Sequence, residues 1–367
     1  MKPVKLFIVF GTRPEAIKMA PLVIEAQQDP RFEVKTIVTG QHREMLDSIL
    51  ASFHLVPDYD LNIMSVNQNL TTITNKILSQ LHVIFSQDKP DILLVHGDTS
   101  TTFAASLAAF YHQIKIGHVE AGLRTWDKYS PFPEEMNRQL TDVLADMYFA
   151  PTQKNKENLL RENHPNKRIY VTGNTAIDAL KYTICSNYEH PVLTNYYGKK
   201  IILLTVHRRE NLGEPMINIF KAINQLVEKN EDIVVVFPIH KNPKVRNLAT
   251  KHLCRSDRLK IIEPLDVVDF HNIASRSFLI LSDSGGIQEE APYMKKPVFV
   301  LRTETERPEG VEAGTLQLVG TDTKKIVDTV TRFLTDDNLY SEAANSLNPY
   351  GDGNASKRIL EAILNDR

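Results

Sequence analysis

The stretch Met1-Lys-Pro-Val-Lys-Leu-Phe-Ile-Val-Phe10, followed at once by Gly11-Thr-Arg-Pro-Glu-Ala-Ile-Lys18, decides the reading of the fold. A short apolar run that leads into a helix start at Pro14 reads as a buried first strand and the helix after it. The run is too short for the apolar core of a signal peptide, and no small-residue cleavage site follows it. The same pattern then recurs. Apolar, β-branched runs stand at Leu6–Phe10, Val34–Val38, Ile92–Val95, Ile114–Val119 and Ile169–Val171, and again at Ile201–Val206, Ile233–Phe237, Leu259–Ile262, Phe278–Leu281 and Val298–Leu301. Runs this short and apolar suit strands covered on both faces in a parallel sheet. Between them Leu70, Ile73, Ile77, Leu81 and Ile84, and likewise Ile217, Phe220, Ile223 and Val227, recur at helix spacing. Strand–helix alternation of this kind indicates a doubly wound α/β architecture.

A chain of 367 residues, 42% of them hydrophobic, exceeds what one compact core usually holds, so two domains are expected. The polar stretch Asn187–Lys200, with Pro191 and Gly198, separates them: an N-terminal domain over 1–186 and a C-terminal domain over 187–350. The tail from Tyr350 reads as a loop and a capped final helix over 351–367. With 43 basic against 45 acidic side chains there is no general attraction to nucleic acid or to an anionic membrane. No apolar run approaches the roughly 20 residues needed to span a bilayer. The two cysteines, Cys185 and Cys254, do not form a disulfide or thiolate-metal pattern, and a reducing cytoplasm fits them. Both stand in helix-patterned stretches and are expected to be buried or half-buried.

Ligands of open parallel sheets bind beyond the carboxyl ends of the strands, and the unusual polar residues of this chain stand there. The first junction lacks both a G-x-G-x-x-G fingerprint and a Walker loop, so no nicotinamide or ATP site is expected. Arg13, ahead of a helix start, and Lys18, one turn in, could meet a phosphate instead; the plain alternative is a surface arginine. His96-Gly-Asp98 and His118-Val-Glu120 follow neighbouring strand runs, and residues two apart on a strand share a face. A metal site and an acid/base pair both suit them. The acid/base reading ranks higher, because Arg13, Lys18 and Arg124 would crowd a cation. In Pro131-Phe-Pro-Glu134-Glu135, a helix-dipole role suffices for Glu135, and Glu134 is the better candidate for facing a cleft. His207-Arg208-Arg209 and His240-Lys241 leave successive strand runs in the second half and lean toward anion binding. Ser284-Gly285-Gly286 at a strand-to-helix turn would bring backbone N–H groups close to a pyrophosphate, with Glu290 one turn on for a ribose diol. Arg307 sits in a charged loop after the next strand.

Together the strings GTRPEAIKMAP, TGQHREML, HGDTSTT, HVEAGLRT, PFPEEMNR, TGNT, VHRREN, SDSGGIQEEAP, RTETERPE and YGDGNASKRI resemble one family, the non-hydrolysing UDP-N-acetylglucosamine 2-epimerases, in order over nearly the whole chain. The resemblance implies two Rossmann-like domains in a glycosyltransferase-B-like arrangement with the substrate in a cleft between them, a homodimer, and a final helix that packs back on the N-terminal domain. It implies no cofactor and no metal. It assigns Asp98, Glu120 and Glu134 to proton chemistry, with His207 beside the leaving group. Arg13, Lys18, Phe270, Ser284, Gly285, Gly286, Glu290 and Arg307 would join Asp98, Glu120 and His207 in holding substrate. A second, activating UDP-N-acetylglucosamine site is implied for Gln41, His42, Gln68, Glu134, Arg208 and His240; the pattern departs there at Glu44 and Asn67.

The residues suit such a reaction. The hydrogen on carbon 2 of the sugar is not acidic, and without NAD the remaining route is elimination of UDP to 2-acetamidoglucal and its re-addition. Acids that reach carbon 2 and cations that meet the diphosphate are what this route requires.

Overall fold

The computed structural model describes residues 2–40, 43–64 and 68–366. Its chain divides into two compact units, Met1–Tyr182 together with Tyr350–Arg367, and Thr183–Pro349. In the first unit β1 (Val4–Phe10), β2 (Phe32–Val38), β3 (Tyr59–Asp60), β4 (Ile92–His96), β5 (Lys115–Val119), β6 (Met147–Ala150) and β7 (Ile169–Val171) form one sheet, in the order β3-β2-β1-β4-β5-β6-β7. In the second, β8 (Lys200–Thr205), β9 (Ile233–Pro238), β10 (Leu259–Ile262), β11 (Leu279–Ser282), β12 (Val298–Val300) and β13 (Leu316–Leu318) run β10-β9-β8-β11-β12-β13. All neighbouring pairs are parallel. The doubly wound α/β class expected from the sequence is therefore present twice. In each sheet the winding reverses once, between β1 and β4 and between β8 and β11, and such a reversal opens a crevice at the strand ends.

Burial explains why these runs became strands. Leu6, Phe7, Ile8 and Phe10 of β1 and Ile202, Leu203 and Leu204 of β8 have no exposed surface. Each contributes about 1.5–3 kcal/mol of hydrophobic stabilisation. The helix Leu70–Gln87 starts where the Asn69 side chain accepts a bond from Thr72 N–H at 2.9 Å. It buries Ile73, Ile77, Leu81 and Phe85, while Leu70 is exposed. The stripe advances in steps of four, so Phe85 takes the place that helix spacing suggested for Ile84.

One expectation is corrected. Cys185 and Cys254 are both exposed. Each lies two residues beyond the end of a helix, Thr175–Thr183 and Pro243–His252, and so outside its apolar face. The final helix, Ala355–Asn365, is capped from outside, its own Asn354 side chain making no cap bond. The carboxylate of Asp178, from the helix Thr175–Thr183, accepts from Ala355 N at 3.2 Å and Ser356 N at 2.8 Å instead. Among the described residues no helix is long and apolar enough to cross a membrane.

Candidate active site

In the first unit the candidate acids gather where β4 and β5 end. Glu120 follows β5 in the left-handed region, at φ 66°. A non-glycine residue held there is strained, and such strain clusters at functional positions. Its carboxylate pairs with Lys18, from the helix Arg13–Gln28. It also accepts from Asn174 Nδ2 at 3.0 Å and lies 3.2 Å from His96 Nε2. Asp98, two residues beyond β4, pairs with Arg138 Nη2 at 2.7 Å, and its carbonyl accepts from Asn137 Nδ2 at 2.9 Å. Burial raises the proton affinity of Asp98; Arg138 opposes this, and the negative charges of Glu120 and Glu134 add to it. Glu134, half-buried, opens the helix Glu134–Leu144, one turn before Arg138.

The two His-x-acid strings do not pair as strand alternation suggested. Strand β4 ends at His96, before Asp98, and Glu120 has left extended backbone, so alternation carries across neither string. His96 meets Glu120, whereas His118 is fully buried, with Nε2 2.7 Å from the Gly97 carbonyl and Nδ1 2.6 Å from Asp142. Asp142 also binds Arg124 at 2.6 Å, and Arg124 reaches Glu162. Arg124 thus belongs to a buried network under the loop that carries Asp98. Glu135 has no exposed surface and accepts from Thr125 N at 3.0 Å and Trp126 N at 3.1 Å, a structural duty. Glu15 does similar work for the first junction, accepting from Thr12 N at 2.7 Å and Thr99 Oγ1 at 2.7 Å. Among the described residues no three His, Cys, Asp or Glu side chains gather where they could hold a metal ion.

Burial lowers the proton affinity of His96 to a pKa of about 4; Glu120 opposes the shift and Lys18 reinforces it. An unfolded histidine takes its proton near 6.5. Between these values the unfolded chain binds the extra proton, so His96 withdraws stability as pH falls through 6.5 toward 4. The loss is about 2 kcal/mol by about pH 5. The stability gap between wild type and a His96→Gln variant should therefore narrow by about that amount between about pH 7.5 and 5 in urea unfolding. A gap that stays constant would refute the buried neutral imidazole.

In the second unit Ser284 stands in extended backbone, φ −79° and ψ 136°, just before the helix Gly285–Tyr293. A Cβ on Gly285 would come within 3.0 Å of the Arg307 guanidinium carbon, so the missing side chain lets that cation lie close against the helix N-terminus. Arg307 is held by Glu289 at 2.7 Å, and its backbone N–H donates to Thr305 Oγ1 at 3.1 Å. Thr305 in turn donates to Gln288 Oε1 at 2.6 Å, which anchors the loop on the helix. A helix N-terminus and a guanidinium side by side form an anion cradle. Glu290, one turn in, lies 3.5 Å from His271 Nε2, and the half-buried ring of Phe270 follows from the same helix as His271.

His207 and Arg208 leave β8 beside this cradle. Their backbone N–H groups donate to the fully buried carboxylate of Asp283, at 2.9 and 2.8 Å, and Asn211 Nδ2 does so at 2.9 Å. The His207 ring stacks on His240, with centroids 5.3 Å apart. Of the residues expected at a second site, Arg208 and Gln68 are half-buried and His240 is exposed. Gln41, His42 and Asn67, and the side chain of Glu44, lie outside the described residues. Arg13 is exposed in the first turn of its helix.

The sequence strings contained Arg138, Asn174 and Asp283 without assigning them work. A signal existed for Arg138, since it stands four residues after Glu134 and so on the same helix face.

Two Rossmann-like units, one with buried acids at its strand ends and the other with a helix N-terminus beside a guanidinium, place the chain among the two-domain α/β enzymes. Residues 24–364 match the family model for UDP-N-acetylglucosamine 2-epimerase. The chain is 59% identical to the UDP-N-acetylglucosamine 2-epimerase of Bacillus subtilis over 364 residues, 99% of this chain and 96% of the relative. It superposes on the Neisseria meningitidis enzyme bound to UDP-N-acetylglucosamine with a TM-score of 0.87 at 49% identity, covering 98% of this chain and 100% of the other. Against the Methanocaldococcus jannaschii UDP-N-acetylglucosamine 2-epimerase the TM-score is 0.86 at 34% identity, over 99% and 100%. The chain belongs to the UDP-N-acetylglucosamine 2-epimerases, an isomerase family.

Proposed function

We propose that this protein interconverts UDP-N-acetylglucosamine and UDP-N-acetylmannosamine by elimination and re-addition of UDP, without hydrolysis and without a cofactor. The observation that carries this reading is the gathering of Asp98, Glu120 and Glu134, close enough for the charges of the two glutamates to act on Asp98. A carboxylate takes the proton from carbon 2 as the carbon 1–oxygen bond to UDP breaks, leaving a carbon 1–carbon 2 double bond. UDP then returns to carbon 1, and a proton is delivered to the opposite face of carbon 2. Lys18 lies with these acids and meets the substrate beside them. The leaving diphosphate is met by His207, Arg307, Arg13 and the Ser284–Gly285–Gly286 turn. Glu290 receives the ribose and Phe270 borders the uracil. Support for a bound UDP-sugar comes from the Neisseria meningitidis relative, solved with UDP-N-acetylglucosamine.

In the same reading a second molecule of substrate activates the enzyme through Gln41, His42, Gln68, Glu134, Arg208 and His240. The stack of His240 on His207 gives such a molecule a direct path to the leaving-group end. The protein works as a cytoplasmic homodimer. Proton NMR with UDP-N-acetylglucosamine in deuterium oxide tests the reaction. Intact UDP-N-acetylmannosamine with deuterium at carbon 2 is the expected result. Accumulation of UDP and free N-acetylmannosamine would establish hydrolysis instead, and loss of turnover in EDTA would establish a metal requirement.

A further inference from the structure

Asn174 occupies the turn between β7 and the helix Thr175–Thr183 and is 3% exposed. Its amide orientation is determined. Ala176 N–H donates to Asn174 Oδ1 at 2.9 Å, and a backbone N–H cannot accept, so the NH₂ group is the one that faces Glu120 Oε1, at 3.0 Å. The backbone of Asn174 is held separately: its N–H donates at 2.7 Å to the carbonyl of Tyr350, where the chain returns to the first unit. Beside that bond Gly173, at φ 88°, and Gly351, at φ 130°, face each other, and a Cβ on Gly173 would lie 3.2 Å from Gly351 Cα. A Cβ on Gly351 would lie 3.3 Å from Gly173 Cα. The returning chain therefore locates the turn, and the turn locates the amide that grips the strained Glu120.

We infer that Asn174 is a positioning residue: it holds the Glu120 carboxylate in the orientation in which it exchanges a proton with substrate, and it ties that orientation to the docking of Tyr350–Gly351. This inference rests on the proposed proton work of Glu120. A neutral donor steadies a carboxylate without adding charge, and Lys18 supplies the charge from the helix Arg13–Gln28.

The test compares Asn174→Ala, Asn174→Asp and Gly351→Ala with Glu120→Gln. Carbon 2 exchange in deuterium oxide, kcat, KM, the pH profile and thermal unfolding are measured on each. Asn174→Ala is expected to lower kcat about tenfold with KM changed less than about twofold, the pattern of lost alignment. Asn174→Asp keeps the shape but turns an acceptor toward Glu120. Like charges disfavour ionisation, so the acid limb of its pH profile should move about one unit higher. Gly351→Ala, remote from the reacting atoms, should lower kcat in the same manner and less steeply.

Wild-type kcat in a folded Asn174→Ala, or an acid limb unmoved in Asn174→Asp, overturns the inference. If the alanine variant does not fold, the aspartate profile decides. Wild-type kcat in a folded Gly351→Ala overturns the tie to the returning chain. Should Glu120→Gln itself exchange carbon 2 at the wild-type rate, the proposed role of Glu120 fails. Should Glu120→Gln be inactive while both Asn174 variants behave as wild type, only the positioning role fails.

Discussion

Asp98→Asn and Glu120→Gln are each expected to cut the rate of carbon 2 exchange about 10²–10⁴-fold, the usual worth of a positioned acid or base. Each amide keeps the shape of its parent and removes the carboxyl group's capacity to take up and release a proton. The surroundings of the two acids differ. Asp98 is paired with Arg138 yet holds its proton more firmly than an ordinary aspartate because it is buried and faces other acids. Glu120 is gripped by Lys18 and Asn174 and backed by His96. Both variants should still bind UDP, since the proposed nucleotide contacts lie largely on the second unit, and calorimetric titration with UDP checks that directly. Full activity in both would end the assignment of proton chemistry to these residues.

Arg307→Ala should lower kcat/KM about 10²–10³-fold, comparable to removing one donor from an oxyanion site. Its guanidinium lies against Gly285, where the dipole of the helix Gly285–Tyr293 already favours an anion. The same change takes from Glu289, 4% exposed, its bond at 2.7 Å, and should cost about 1–3 kcal/mol in stability. The two losses are separable. Arg307→Ala combined with Glu289→Gln should recover stability in denaturant unfolding and leave kcat/KM low. Arg307→Lys should fall between wild type and alanine, because an ammonium keeps the charge and loses the planar fork. Wild-type kcat/KM in Arg307→Ala would remove the guanidinium from the mechanism.

The strands were legible where apolar residues run on with β-branched neighbours. Leu259–Ile262 and Ile169–Val171 are strands over the expected residues. Met147–Ala150, fully buried, went unread because Met-Tyr-Phe-Ala carries no β-branched residue and follows directly on a helix. Two further strands, Tyr59–Asp60 and Leu316–Leu318, are too short to show a period. Asp98 and Glu120 stood out because they interrupt an apolar text just after a strand, and Glu134 because it stands at a helix start. Their supports did not, since contacts such as Arg138 to Asp98, Asn174 to Glu120 and His207 to Asp283 join residues 40, 54 and 76 positions apart. Local pattern carries no trace of such pairings. The mismatch between the two His-x-acid strings has the same origin, because a left-handed residue at 120 cannot be read from alternation.

The cap that Asp178 places on the final helix has a consequence for the reading frame. A stop codon at position 350 would remove no residue proposed to touch substrate. It would nevertheless take away the N–H groups that satisfy a buried carboxylate and the carbonyl that anchors Asn174. Burial raises the proton affinity of Asp178; the same truncation also removes Ala355, Ile359, Leu360 and Ile363, so the surface of the first unit that they cover would open to water. Premature termination late in this gene should therefore resemble damage near its start.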